Sequence, residues 1–208
     1  MTVFDNPLRR GDTVLVGAVG AAEGARGAAA ALACAASDVD RSALLIDVGG
    51  RGPRPTLIAS AAAQRLEERL VAHLPEQRIA ARGRICQLSV SPDADGVGVA
   101  AAAVAALRGG GGCAIHLPSR LLQQSASHSG LRASAVLLRA DLEADRALVA
   151  LAARDLMDRG LAVAVLKRRL SWAVERRALF GALPEAGALP SRVTRKLLSE
   201  PSAEQLAG

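Results

Sequence analysis

The sequence predicts an α/β fold, with a mainly parallel sheet and helices on both of its faces. Short apolar segments alternate with alanine-rich segments of helical periodicity along most of the chain. The apolar segments indicate strands that are buried on both sides, which is typical of parallel sheets covered by helices. Right-handed crossovers between such strands then produce a doubly wound, three-layer arrangement.

Six strands are predicted from the apolar segments. The first, TVLVGAV, runs into a glycine-rich turn, and the second, SALLIDV, ends at Gly49 and Gly50. The remaining four are apolar runs separated by turn residues or by helical patterns. The predicted strands cover 13–19, 42–48, 84–90, 113–119, 134–140 and 161–169.

Helices are predicted in the segments between and after these strands. The last well-defined helix begins near Asp141 and ends at Gly160, where a glycine commonly terminates a helix. The predicted helices cover 27–36, 57–74, 97–107, 142–159 and 170–181. The side chains expected to face the core from the 142–159 helix are Leu148, Leu151, Ala152 and Leu156.

The length of 208 residues, half of them apolar, fits one domain of ordinary size. We expect a single domain over 1–183 and a basic C-terminal extension over 184–208. In that extension, Pro184 and Pro190 precede a short basic helix around 191–198. No apolar run is long enough to span a bilayer and the first residues do not resemble a secretory signal, so we expect a cytoplasmic protein without a transmembrane segment.

The cysteines and histidines do not form a pattern typical of metal sites. Three cysteines lie far apart in apolar segments, which favours buried free thiols over metal ligands. The histidines have neither metal-ligand spacing nor an evident acidic partner, and we expect all three to be structural. These residues are Cys34, Cys86, Cys113, His73, His116 and His128.

The chain is basic, with a net charge of +6 and a pI of about 10.4. Such a charge fits a nucleic-acid partner, but 24 of the 26 basic residues are arginine and alanine is more frequent still, which fits a GC-rich coding bias as well. The part from Lys167 onward carries +4 of the net charge. The candidate interaction residues there are Arg168, Arg169, Arg176, Arg177, Arg192, Arg195 and Lys196.

The segment GAVGAAEGARGAAAALA has the strand, glycine turn and helix order of a phosphate-binding loop. The glycines permit a tight turn and close packing of the helix on the sheet, and this structural role is the first interpretation. The second is residual binding of an anion or nucleotide, and the third is an ATPase with unorthodox residues. The candidate residues for such a vestigial site are Gly20, Gly24, Arg26, Gly27 and Asp47.

Four segments in order resemble the MinD/ParA-type P-loop ATPases, the group that includes the Tad-pilus localisation protein TadZ. These segments are GAVGAAEGARGAAAALA, LLIDVGGRGPRPTL, AIHLPSRL and SAVLLRADLEADRALVALAARDLMDRGLAVAVLKRR, and the likeness runs from Thr13 to Arg169. The resemblance implies a P-loop NTPase-like sandwich in which 14–19 is a central strand beside 114–117, with 44–47 in the same sheet.

The resemblance also implies that the loop has lost its phosphate chemistry. Gly24 matches the last loop glycine of the family, Ala25 stands in the place of the lysine and Arg26 in the place of the hydroxyl residue. That lysine neutralises phosphate charge and that hydroxyl ligates Mg²⁺. Alanine does neither and arginine does not ligate a cation, while Glu23 adds a negative charge to the loop.

The other matching segments have lost residues as well. Asp47 matches the first acid of the family's second strand, but Gly49 stands in the place of its partner acid. His116 occupies the place of the acid that senses the γ-phosphate, and Ser119 that of a proline. Lys167 stands where the family has a base-contacting asparagine.

We therefore expect a pseudo-ATPase that is not an enzyme, has no required cofactor and acts through a protein partner. The partner is an active paralogue or a second copy of the chain, in a MinD/ParA-type machine, and residual ATP or ADP binding is compatible with this hypothesis. An alternative is a nucleic-acid-binding accessory protein, ParA-like or RecA-like, that takes part in partition or repair. A further alternative is a weak nucleotide binder or ATPase.

Overall fold

Seven strands form one sheet in the computed structural model, which describes residues 12–20, 24–37, 42–50, 58–107, 111–140 and 146–166. The strands are β1 (Thr13–Ala18), β2 (Ala43–Val48), β3 (Arg78–Arg82), β4 (Ile85–Val90), β5 (Cys113–His116), β6 (Ala133–Arg139) and β7 (Ala162–Leu166). The α-helices are α1 (Ala25–Ala36), α2 (Ala61–His73), α3 (Ala94–Leu107), α4 (Ser119–Ala126) and α5 (Arg146–Asp158). A short 3₁₀ helix, Ser129–Leu131, precedes β6.

The strands lie in the order β3-β4-β2-β5-β1-β6-β7, and every neighbouring pair is parallel except β3 and β4. β1 is central, because it pairs with β5 on one side and with β6 on the other. β2 pairs with β5 on the far side of that strand. The predicted α/β fold class is therefore confirmed, and so is the predicted placement of 14–19 beside 114–117 with 44–47 in the same sheet.

Helices cover both faces of the sheet, as predicted. On one face the described helix is α1, whose buried residues pack with Val16, Leu45 and Leu137 of the central strands. Helices α2, α3, α4 and α5 contribute their buried residues to the core on the opposite face. α1 joins β1 to β2, whereas α3, α4 and α5 lie in connections between parallel strands that run the opposite way across the sheet. Right-handed crossovers therefore place α1 on the face opposite α3, α4 and α5.

Most of the residues that α1 buries have small side chains. Ala28, Ala29, Ala30, Ala31 and Ala33 are all fully buried. Alanine also has the highest intrinsic helix propensity, so this segment forms a helix and lets the helix axis approach the strands.

Three elements were not predicted, and two of the four residues predicted to face the core from α5 are exposed. β3, α4 and the 3₁₀ helix are absent from the sequence predictions, and the strand predicted over 113–119 ends at His116 because α4 begins at Ser119. On α5, Leu148 and Leu151 are exposed rather than buried (55% and 73%). The residues that α5 buries are Val149, Ala153 and Leu156.

Other predicted elements differ from the structure only at their ends. The helix predicted over 57–74 is α2, which begins at Ala61. Ser60 caps its N-terminus, because the Ser60 hydroxyl accepts a hydrogen bond from the Ala63 amide. Gly160 follows α5 with a left-handed φ of 81°, as its predicted terminating role requires.

Several predictions lie outside the described residues. They comprise the 170–181 helix, the 184–208 extension, the helix start at Asp141 and the loop residue Glu23. They also include Lys167 and the interaction residues Arg168, Arg169, Arg176, Arg177, Arg192, Arg195 and Lys196. In the described part of the chain, no helix is long and apolar enough to cross a membrane.

The three cysteines are free, as predicted, and two of them are buried. Cys86 and Cys113 lie inside the core, whereas Cys34 is half-buried on α1. Burial raises the pKa of the Cys34 thiol to about 11 and that of Cys86 to about 12, and it raises the pKa of Cys113 further. A thiol with a raised pKa forms little thiolate at neutral pH, so these cysteines are poor nucleophiles and metal ligands.

A closed carboxylate at the carboxyl ends of the strands

A row of polar residues crosses four strands near their ends, on the sheet face that carries α1. Asp47 of β2 is the register partner of His116 on β5 and of Ser89 on β4. Ser89 is in turn opposite Arg78 on β3. Cross-strand partners point to the same face of a sheet, so these four residues form one row. In open α/β sheets, the region outside the carboxyl ends of the strands is where ligands bind.

The Asp47 carboxylate lies at the centre of this row and is completely buried (0% exposed). Arg26 Nε lies 2.5 Å from Asp47 Oδ2, and His116 Nδ1 donates a hydrogen bond to Asp47 Oδ1 at 2.9 Å. The Arg26 Nε–H does not point along the line to Oδ2, so that contact is an ion pair rather than an aligned hydrogen bond. A buried carboxylate needs such partners, because burial without them costs several kcal/mol.

Arg26 reaches Asp47 because the glycine turn places it in the first turn of α1. Gly24 precedes the helix with φ 91° and ψ 2°, and Gly20 has φ 63°. Both are left-handed conformations that favour glycine, which supports the structural interpretation of these two residues. Gly27 is different, because it is a buried residue inside α1, where no turn requires a glycine.

A second glycine turn closes over Asp47 from the other side. Gly49 has φ 78°, and its amide donates to the Val90 carbonyl at 2.9 Å. A Cβ atom on Gly50 would lie 1.9 Å from Asp47 Oδ2, so only glycine leaves room there for the carboxylate. The family resemblance places Gly49 at the position of the second acid. Its backbone conformation is one that residues other than Gly, Asn and Asp rarely adopt.

We expect Gly50→Ala to lower the free energy of unfolding by about 1 to 2 kcal/mol, because the added methyl displaces the Asp47 carboxylate. The control is Gly98→Ala, since a Cβ atom on Gly98 meets nothing within 4 Å. Gly98 lies in α3, where alanine is expected to stabilise the protein by about 0.5 to 1 kcal/mol. Chemical denaturation measures both changes, and equal effects of the two substitutions would contradict the crowding at Asp47.

The structure brings together some of the predicted site residues. Arg26 and Asp47 are in contact, and Gly20 and Gly24, both with positive φ, come before Arg26 in the segment that leads from β1 into α1. The expectation that His116 has no acidic partner is wrong, because β2 and β5 are neighbours and their register places its ring against Asp47. His73 and His128 form no ion pair within the described residues.

Sequence reasoning missed Ser89 and Arg78. A signal for Ser89 is present in the sequence, because Gln87 and Ser89 alternate with apolar residues in β4 and so share one face of the strand. Arg78 was missed together with β3 itself.

The cluster is suited to holding a carboxylate in a fixed, neutralised state. The position beside Asp47 Oδ2 is taken by the Arg26 guanidinium, so Mg²⁺ does not fit there without displacing it. No group of three His, Cys, Asp or Glu side chains that could hold a metal ion occurs in the described part of the chain. The chain matches no protein-family model and no curated protein.

Proposed function

We propose that this protein is a pseudo-ATPase of the MinD/ParA type that acts by binding a protein partner. The ion pair between Arg26 and Asp47 is the observation that carries this proposal. In an ATPase of this kind, the acid at the end of the second strand works with Mg²⁺ or with the attacking water. Here an arginine from the first turn of α1 supplies a permanent positive charge to that acid instead.

The sheet topology supports the same proposal. β5 lies between β1 and β2, so the ends of the three strands that carry the glycine turn, Asp47 and His116 are adjacent. The resemblance implies the first of these contacts, β1 beside β5, with β2 in the same sheet. The residues at those ends differ, because Ala25 and Arg26 begin α1 and His116 faces Asp47.

A closed site of this kind favours a role through contact. An ATPase switches between states by binding and hydrolysing nucleotide, whereas the Arg26–Asp47 pair joins α1 to β2 through two of the chain's own side chains. A chain fixed in one state can pair with an active paralogue or with a second copy of itself. It would thereby regulate or scaffold the machine to which the partner belongs.

We expect no ATP turnover above background from the purified full chain with Mg²⁺ and ATP, because the loop has neither a lysine nor a hydroxyl residue at the matching positions. Asp47→Ala should leave that background rate unchanged, and so should Arg26→Ala. A phosphate-release assay measures the rate. Turnover that Asp47→Ala abolishes would overturn the proposal.

Thermal unfolding with ATP and ADP tests residual nucleotide binding separately. A ligand at a hundred times its dissociation constant stabilises the native state by about 2.7 kcal/mol.

The partner is to be identified by co-purification, and size-exclusion chromatography with light scattering tests self-association.

The second candidate function is binding of nucleic acid, favoured by the net charge of +6. Binding to double-stranded DNA that falls steeply with added salt would support it, because such binding depends on counterion release. The pseudo-ATPase proposal has the stronger support, since it accounts for the particular residues around Asp47 and a net charge does not.

A further inference from the structure

A cavity of about 500 Å³ opens at the carboxyl ends of β2 and β4, on the side of Asp47 away from the glycine turn. Gly49, Gly50 and Ser89 line its inner end, and Glu76 and Arg78 line the side at the start of β3. This volume is within the range of about 300 to 1,000 Å³ that small-molecule sites occupy. Its place outside the ends of parallel strands is where ligands bind in sheets of this type.

Ser89 provides a hydrogen-bonding group at the inner end that the protein itself does not use. The residue is 7% exposed, and its Oγ has no hydrogen-bond partner among the described residues. Buried hydroxyl groups are nearly always paired, since an unpaired one loses its hydration without compensation. Because the Oγ atom itself has almost no exposed surface, a ligand in the cavity can supply the missing partner once the Ser89 side chain rotates toward it.

Arg78 provides a positive charge at the same cavity. It is the register partner of Ser89 and is exposed, and it is not paired with a carboxylate in the described part of the chain. A guanidinium presents parallel N–H groups that match the two oxygens of a carboxylate or a phosphate. Ser89 and Arg78 together therefore favour an oxyanion.

The buried Asp47 does not oppose an anion in this cavity. Its carboxylate is compensated by Arg26 at 2.5 Å and by the hydrogen bond from His116. Glu76 lies on the exposed rim, where its carboxylate can accept a hydrogen bond from a hydroxyl or amine group of the same ligand.

We propose that this cavity binds a small metabolite that carries a carboxylate or phosphate group. Ser89 Oγ donates to one oxygen of that group, Arg78 binds it through its guanidinium, and Glu76 accepts a hydrogen bond from a hydroxyl or amine elsewhere on the ligand. This inference does not depend on the pseudo-ATPase proposal, because it uses neither the glycine turn nor any nucleotide.

The test is a titration of the full chain with pyrophosphate and with citrate, at constant ionic strength, by thermal unfolding and calorimetry. At least one probe should raise the melting temperature of the unsubstituted protein. Arg78→Gln should weaken that binding about tenfold, since it removes a charge-assisted hydrogen bond. Arg154→Gln on α5 is the matched control, because it removes the same charge from an exposed position and should leave the affinity unchanged.

Ser89→Ala separates a ligand-binding role from a structural one. Without a probe, the variant should be as stable as the unsubstituted protein or more so, because the substitution removes an unpaired buried hydroxyl. With the probe, its affinity should fall about fivefold. A Ser89→Ala variant that is less stable without a probe but keeps its full affinity would overturn the proposal.

Two further results would also overturn it. One is that neither probe changes the melting temperature at millimolar concentration. The other is a shift that Arg78→Gln preserves and Arg26→Ala abolishes, because the anion would then bind at the glycine turn. That second result would leave the pseudo-ATPase proposal standing, so the two proposals fail independently.

Discussion

Arg26→Ala is expected to lower the free energy of unfolding by about 2 kcal/mol. Removing one partner of a buried ion pair costs about 3 to 5 kcal/mol, because the other charge stays buried. Two features reduce that cost here. The Arg26 side chain is 39% exposed, so part of its charge is already hydrated, and a cation in the first turn of a helix interacts unfavourably with the helix dipole by about 0.3 to 1 kcal/mol. The uncompensated Asp47 carboxylate remains the larger effect.

Asp47→Asn should cost less, about 1 kcal/mol, because the half-exposed Arg26 can turn toward water and the amide oxygen can still accept from His116. In the Asp47→Asn background, Arg26→Ala should then cost under about 0.5 kcal/mol, since no buried charge is left behind. Urea denaturation of the two single variants and the double variant measures this coupling.

Arg154→Ala on the exposed face of α5 is the control, with an expected change within about 0.5 kcal/mol. If the effects of Arg26→Ala and Asp47→Asn simply add, the ion pair contributes nothing to stability. The closed carboxylate would then not hold α1 in place.

The sequence predicted the centre of the sheet well, because several independent signals agree there. The apolar runs of β1, β2 and β5 are buried, and β1 lies beside β5 with β2 in the same sheet, as the family resemblance implies. Gly20 and Gly24 were predicted from the glycine pattern to permit a tight turn. Both have a positive φ, a conformation that other residues rarely adopt.

The edges were not predicted, because their local signals are weak. β3 is five residues long, begins and ends with arginine, and is held by antiparallel pairing with β4 on one side. α4 has only eight residues and follows Pro118 directly. In α5, apolar residues occupy a wide arc, so periodicity alone does not decide whether Leu148 and Leu151 or Val149 and Ala153 face the sheet.

The contact between His116 and Asp47 joins residues 69 positions apart, and the sequence expectation of no acidic partner considered only nearby spacing. The sequence predicted both strands in one sheet but did not make them neighbours. Their pairing and its register were the missing steps, since a shift by one residue would have turned one of the two side chains to the opposite face. Register is set by packing over the whole sheet and is not visible in a short motif.

Ala29→Leu is expected to have the largest effect on stability, a loss of about 3 kcal/mol. Enlarging a well-packed core residue costs about 1 to 3 kcal/mol, and the upper end applies because Ala29 lies between Ala28 and Ala30, which are also fully buried. α1 cannot tilt to admit the larger side chain without exposing those neighbours or separating from the sheet.

The same substitution should also loosen the site, because Arg26 is carried by the first turn of α1. In the Ala29→Leu background, the cost of Arg26→Ala should therefore fall well below about 2 kcal/mol. Ala105→Leu is the matched control, since Ala105 is exposed on α3 and the change should stay within about 0.5 kcal/mol. Denaturant midpoints that are equal for Ala29→Leu and Ala105→Leu would mean that α1 does not pack closely on the strands. The position of Arg26 at Asp47 would then have to be maintained by the start of α1 at Gly24 rather than by the buried face of the helix.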